Sequence, residues 1–330
     1  MKVANEPNHL RIRHYTEQSP RWLRRFTKLV AASTLFLIFA GAMVTSTDSG
    51  LAVPDWPNTY GEFMFSFPYS KWVGGIFYEH GHRLIASTVG FLVIIQAIWL
   101  QRREPKKFVR ILGWVSLAAV VVQGILGGIT VLLFLPKLVS ISHAALAEIF
   151  FCINVAIAFF TSRWYHDLRT LEKGDAPVGM AWMLTALVYL QILAGAVLRH
   201  LGAGLAIPDF PLSFGRIVPD FVSTDIIAAY VHRAGGFVVA AAVIATAIRL
   251  LRYERDHPLR SLAHLLAAVV CAQVLLGGYV IWSGKQPHIT SLHVMTGALT
   301  LALSLVLTLS ARTLAWKRLS THAAFIEVTA

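Results

Sequence analysis

Imidazole is among the commonest metal ligands in proteins, and four of the thirteen histidines in this sequence recur at fixed spacing. His82 and His143 stand 61 residues apart, as do His232 and His293, and each member of the first pair precedes its counterpart by 150 residues. Arg83 and Arg233 follow the leading histidines directly, and Gln123-Gly127-Gly128 returns as Gln273-Gly277-Gly278 at the same offset. The stretch Gly50-Leu-Ala-Val-Pro-Asp-Trp-Pro57 returns as Gly204-Leu-Ala-Ile-Pro-Asp-Phe-Pro211 at an offset of 154. A tandem duplication accounts for all of these, and each half then offers two imidazoles to a metal. Glu79 breaks the symmetry. It lies three residues before His82, on the same face of a helix, whereas the position 150 residues on is Ala229. One half therefore carries an acid–base group that the other lacks. The remaining histidines have no partner at the repeat offset. His80 neighbours the motif but belongs to a different helical face from His82.

The elements that must position these residues are membrane helices. The chain is 56% hydrophobic and 14% charged, with a mean hydropathy of +0.62, against about 25% charged residues in a soluble domain. Eight apolar runs approach the roughly 20 residues needed to cross a bilayer, near 27–46, 79–100, 111–133, 141–161, 178–198, 226–248, 261–282 and 289–311. Of the 29 Lys and Arg residues, 22 fall in the two ends, in the alternate short loops or, for Lys28, at the edge of the first run, and 5 in the other four loops. By the positive-inside rule both termini are expected in the cytoplasm. The basic residues form no single surface, so the net charge of +12 reads as topology and not as nucleic-acid binding. Cys152 and Cys271 lie inside apolar runs, without disulfide or metal-site spacing.

The expected architecture is all-α: eight transmembrane helices as two tandem pseudo-twofold four-helix bundles. Residues 1–26 form a cytoplasmic segment, 27–161 the first repeat, 162–177 a cytoplasmic linker, 178–311 the second repeat and 312–330 a cytoplasmic tail. Four spans per repeat give both halves the same orientation. The four histidines then lie near the outer end of even-numbered spans, at one depth. Two imidazoles facing each other inside a small bundle suit the axial positions of a haem iron. Zinc suits them less, since neither half supplies further ligands at matched spacing. An arginine in a membrane needs a partner, and for Arg83 and Arg233 the propionates of such a haem are candidates. The two longer outer loops, about 47–78 and 199–225, hold the Pro-Asp-aromatic-Pro element, which proline restricts to an ordered turn or extended lid.

The Glu-x-x-His-Arg at 79–83, the His-Arg at 232–233, His143, His293, the paired Gly-Leu-Ala-x-Pro-Asp-aromatic-Pro loops and eight spans in two repeats together resemble haem A synthase, over about residues 27–311. The resemblance implies oxidation of the C8 methyl of haem O to a formyl group by successive hydroxylations, giving haem A for cytochrome c oxidase. It implies that His82 and His143 flank the substrate haem, that His232 and His293 ligate haem b, and that Glu79 is the catalytic carboxylate. It also implies a bacterial inner membrane or, alternatively, the mitochondrial one, and as partners the haem O-producing prenyltransferase and oxidase assembly factors. Some members carry cysteine pairs in the outer loops; this sequence has none there. The competing reading is a two-haem quinol electron carrier of the cytochrome b type, which needs the same histidines but not the difference between Glu79 and Ala229. A transporter of haem or another apolar solute is a third class.

Overall fold

The computed structural model describes residues 18–170, 176–254 and 257–328, with side chains to residue 315. Most of the basic N-terminal segment, part of the 162–177 linker and the end of the tail lie outside the described residues. Nine α-helices run through the described chain: α1 (Arg21–Ser46), α2 (Gly75–Arg103), α3 (Lys107–Leu132), α4 (Lys137–Thr161), α5 (Arg163–Thr170), α6 (Val178–His200), α7 (Thr224–Leu250), α8 (Pro258–Trp282) and α9 (Pro287–Val328). All but the short α5 are long and apolar enough to cross a membrane, so the chain is an all-α, multi-pass membrane protein.

Local chemistry sets the boundaries. Pro20, Pro136 and Pro177 stand immediately before α1, α4 and α6, and Pro258 and Pro287 occupy first positions, where a missing N–H leaves no bond unmade. The Ser223 hydroxyl caps α7 by accepting from Ile226 N. Several helices begin before the hydropathy does. α2 starts at Gly75 and α4 at Lys137, so the histidines sit about two turns inside their helices. At the other extreme α9 continues to Val328, well past the apolar run expected to end near 311. Within the linker, α5 docks on α9, its Trp164 Nε1 donating to Ser310 Oγ at 3.1 Å.

In the first half α1 packs on α2 and α4, and α3 on α2 and α4; in the second, α6 packs on α7 and α9, and α8 on α7 and α9. Each ring is tied by a buried threonine pair, Thr27–Thr161 at 2.9 Å and Thr185–Thr308 at 2.9 Å. Side-chain hydrogen bonds matter here because packing apolar helices in lipid brings little hydrophobic gain. In the first ring Asn154 Oδ1 also accepts from Gln96 Nε2 (2.8 Å) and Ser116 Oγ (3.0 Å). The rings meet where α1 and α4 pack against α9, and α4 against α6.

Candidate functional site

Each of the four repeated histidines presses the edge of its ring against a glycine on the preceding span. A Cβ on Gly41 would lie 3.0 Å from His82 Cε1, on Gly127 3.2 Å from His143 Cε1, on Gly195 2.8 Å from His232 Cε1, and on Gly277 3.1 Å from His293 Cε1. Any larger residue would push the imidazole away. The glycines therefore fix the rings by letting two helices close to within backbone contact. Glutamine adds to this one turn below two of them: Gln123 Nε2 donates to the His143 carbonyl at 2.9 Å, and Gln191 Nε2 to the His232 carbonyl at 2.6 Å. The matching position before Gly41 is Leu37, which has nothing to donate.

The rings pair within halves. The His232 and His293 centroids stand 6.4 Å apart with planes at 82°, and His82 and His143 are within electrostatic reach of each other. Nδ1 of His82, His143 and His293 is buried without a hydrogen bond of normal geometry, although the Gln123 and Gln273 carbonyls approach the latter two rings. A backbone carbonyl beside Nδ1 of His143 and His293 leaves Nε2 as the nitrogen available to a metal, the usual arrangement of a metal-ligating histidine. Among the described residues no three His, Cys, Asp or Glu side chains converge on one point. The donor set is thus two imidazoles per half. That fits an iron already held in its plane by a macrocycle, and it underfills a zinc site.

Over this end of the molecule the two longer loops close in the same way. Trp56 rests on Gly128 and Phe210 on Gly278, where a Cβ would lie 2.6 and 2.7 Å from the respective rings. The doublets Gly127-Gly128 and Gly277-Gly278 thus serve two contacts each, the first glycine receiving the histidine and the second the lid aromatic. Next to each aromatic the chain makes a two-residue hairpin. Tyr60-Gly61 and Phe214-Gly215 have positive φ, as such a turn requires. The Asp55 carboxylate accepts from the Tyr60 and Gly61 N–H groups at 2.8 and 2.7 Å, and Asp209 accepts from Phe214 and Gly215 at 2.7 and 2.8 Å. Burial would raise the Asp55 carboxyl, but the Gly61 and Tyr60 N–H groups outweigh it and hold the acid below the ordinary carboxylate value. Asp209 is held down by the Gly215 and Phe214 N–H groups.

Arg83 and Arg233 latch these lids to their helices. Arg83 donates to the carbonyls of Asp55 (2.7 Å), Asn58 (3.0 Å) and Val53 (2.9 Å), and Arg233 to those of Leu212 and Ile207 and to Ser213 Oγ. Glu79 completes the first latch only. Its Oε1 is 2.7 Å from Arg83 Nη2 and its Oε2 accepts from Val53 N at 2.7 Å, while Ala229 stands buried at the matching place. His80 faces away from the paired imidazoles. It is buried under the lid with Nδ1 3.0 Å from Thr59 Oγ1 and its ring edge-on to Trp72.

Residues 24–305 match the COX15-CtaA family, described as cytochrome oxidase assembly protein. The chain belongs to this family. Among its relatives is heme A synthase of Symbiobacterium thermophilum, 31% identical over 268 residues that cover 77% of this chain and 84% of that protein. Heme A synthase of Shouchella clausii is 29% identical over 226 residues, 66% of this chain and 72% of its own. That of Novosphingobium aromaticivorans is 27% identical over 334 residues, 85% and 92% of the two chains.

Two ionisable groups near the site escaped the sequence reading. Glu148, five residues past His143, is buried with Oε2 unpartnered, and its counterpart is Ala298. Arg199, at the end of α6, reaches across to α1. A carboxylate inside an apolar run was a visible signal for the first. Arg199 lay at the edge of a loop, where an arginine draws no notice.

Proposed function

We propose that this protein is a haem A synthase, an oxidoreductase that converts the C8 methyl of haem O to the formyl group of haem A. The observation that carries the reading is the set of four glycine-backed imidazoles, paired within each half at one end of the membrane, in a chain that belongs to this family. His82 and His143 would flank the substrate haem, and His232 and His293 would hold a resident haem b. When bound, haem b would supply one-electron chemistry at a potential set by its axial ligands and burial.

The chain's own residues then have distinct tasks. The glycines hold the imidazoles at fixed positions, and the lids with Trp56 and Phe210 exclude water from the outer ends. Oxidation of a methyl to an aldehyde passes through an alcohol and a gem-diol that loses water, so protons must be moved next to the reacting carbon. Glu79 is the carboxylate for this, one turn from His82. Both of its oxygens are engaged by Arg83 and Val53 N, so it reaches substrate only as the lid bond to Val53 releases. Glu79 thereby links proton transfer to lid movement. Arg83 and Arg233 serve the lids first, and a propionate would have to share their guanidinium groups with the loop carbonyls. Both termini would face the cytoplasm of a bacterial inner membrane, with the haem O-producing prenyltransferase and oxidase assembly factors as neighbours.

The test is pigment extraction from purified wild type and Glu79→Ala, with the haems separated and identified. Haem O or A beside haem b in the wild type, and haem O without haem A in the variant, is the expected result. Haem b alone in both, at two per chain, would leave an electron carrier in place of the synthase.

A further inference from the structure

We infer that Arg199 is the cation that binds a propionate carboxylate of the haem held between His232 and His293. Arg199 lies one turn beyond Gly195, the glycine against which His232 packs, and i and i+4 positions share a helix face. Its Nη2 crosses to the first half, donating to Ala42 O at 3.0 Å and Ser46 Oγ at 2.7 Å. Ser46 also accepts from Ser291 Oγ at 3.2 Å, and Ser291 stands two residues before His293. The guanidinium therefore lies between α6, whose Gly195 backs His232, and α1, whose Ser46 is tied to α9 two residues before His293.

Its hydrogen-bond partners are neutral, and Asp48 lies within electrostatic reach without forming an ion pair. Among the described residues Arg199 makes no ion pair, and its hydrogen bonds all run through Nη2, so the Nε and Nη1 donors are left for single charge-assisted bonds to a carboxylate. Arg83 and Arg233, the cations suggested by sequence, are bound to three and two loop carbonyls respectively. Position 45, which matches Arg199 at the loop offset, is threonine, and its hydroxyl only bonds back to its own helix at Gly41 and Ala42. The first half has no equivalent cation, which assigns the carboxylate to the haem of the second.

The inference rests on haem binding by His232 and His293, and the experiment separates the two. Haem b and its dimethyl ester, which lacks the carboxylates, are titrated into haem-depleted full-length protein in a His82→Ala background, leaving the second pair intact. Arg199-bearing protein should prefer the free acid by about tenfold, the order of one charge-assisted bond. Arg199→Gln should abolish that preference with little change in affinity for the ester, and should lower the haem midpoint potential, because a nearby cation disfavours the ferric state. Arg199→Lys should restore part of both, and Ser46→Ala, which removes only the inter-half bond, should leave both unchanged. A preference that survives in Arg199→Gln, or a Ser46→Ala effect equal to it, would overturn the inference. If His293→Ala binds haem as before, the haem reading itself fails, whatever Arg199 does.

Discussion

The first four spans and the last four share one frame and differ in where they keep charge. Both place two imidazoles on glycines, rest a lid aromatic on the next glycine and latch the lid with an arginine. The first half adds two buried carboxylates, Glu79 and Glu148, and a polar knot of Gln96, Ser116 and Asn154. The second has Ala229, Ala298, Thr246, Leu266 and Ser304 at those places and adds the cation Arg199. Frame residues are those that pack, and packing tolerates no change at Gly127 or Gly277. Charged residues are expensive in a membrane, so those retained in one half mark what that half does. On the proposed reading, proton handling would belong to the first and a fixed anionic cofactor to the second.

The strongest test removes the frame. Replacing His293 by alanine should eliminate the second haem, and spectroscopic haem content should fall by roughly half; unchanged content would break the pairing. Gly277→Leu should do nearly as much without touching a ligand, since its side chain would enter the space of the His293 ring.

The latches sharpen the contrast at lower amplitude. Arg83→Gln leaves Glu79 buried and unpaired and should destabilise the protein by about 3–5 kcal/mol. Arg233→Gln removes hydrogen bonds to neutral groups and the cation's contact with the Phe210 ring, and should cost about 1–2 kcal/mol. Thermal unfolding in detergent compares them, and equal effects would mean that Glu79 is not held as a charged partner. Glu148→Gln is next. If the carboxyl serves only packing, its neutral amide should keep or slightly raise the unfolding temperature with haem A formation intact; lost product at full stability would add Glu148 to the proton-handling half.

The smallest effect concerns the lids and acid. Because the hairpin N–H groups depress Asp55 and Asp209, their stabilisation is complete above the ordinary carboxylate value and is lost as pH falls through the lower folded value. Amide exchange at Tyr60, Gly61, Phe214 and Gly215 should therefore quicken only below about pH 4. Asp209→Asn should remove this dependence from the second lid alone.

Much of this was legible because repetition makes function visible in a single chain. The 150-residue offset isolated His82, His143, His232 and His293 from nine other histidines, the same offset exposed Glu79 against Ala229, and hydropathy placed eight spans. The glycine doublets were equally visible as a repeat, but their double contact was not, since a missing Cβ says nothing about what fills its place. Nor could the arginines be assigned. Sequence offered Arg83 and Arg233 to a carboxylate because a buried cation needs an acceptor, and the fold supplied acceptors 28 and 25 residues back along the chain. Arg199 acquired meaning only when α6 came to lie beside α1, 153 residues from its partner Ser46. Periodicity and spacing determine which residues share a helix and a depth, because both follow from the local geometry of the chain. Which donor meets which acceptor depends on how helices close against one another, and that is decided by the tertiary structure.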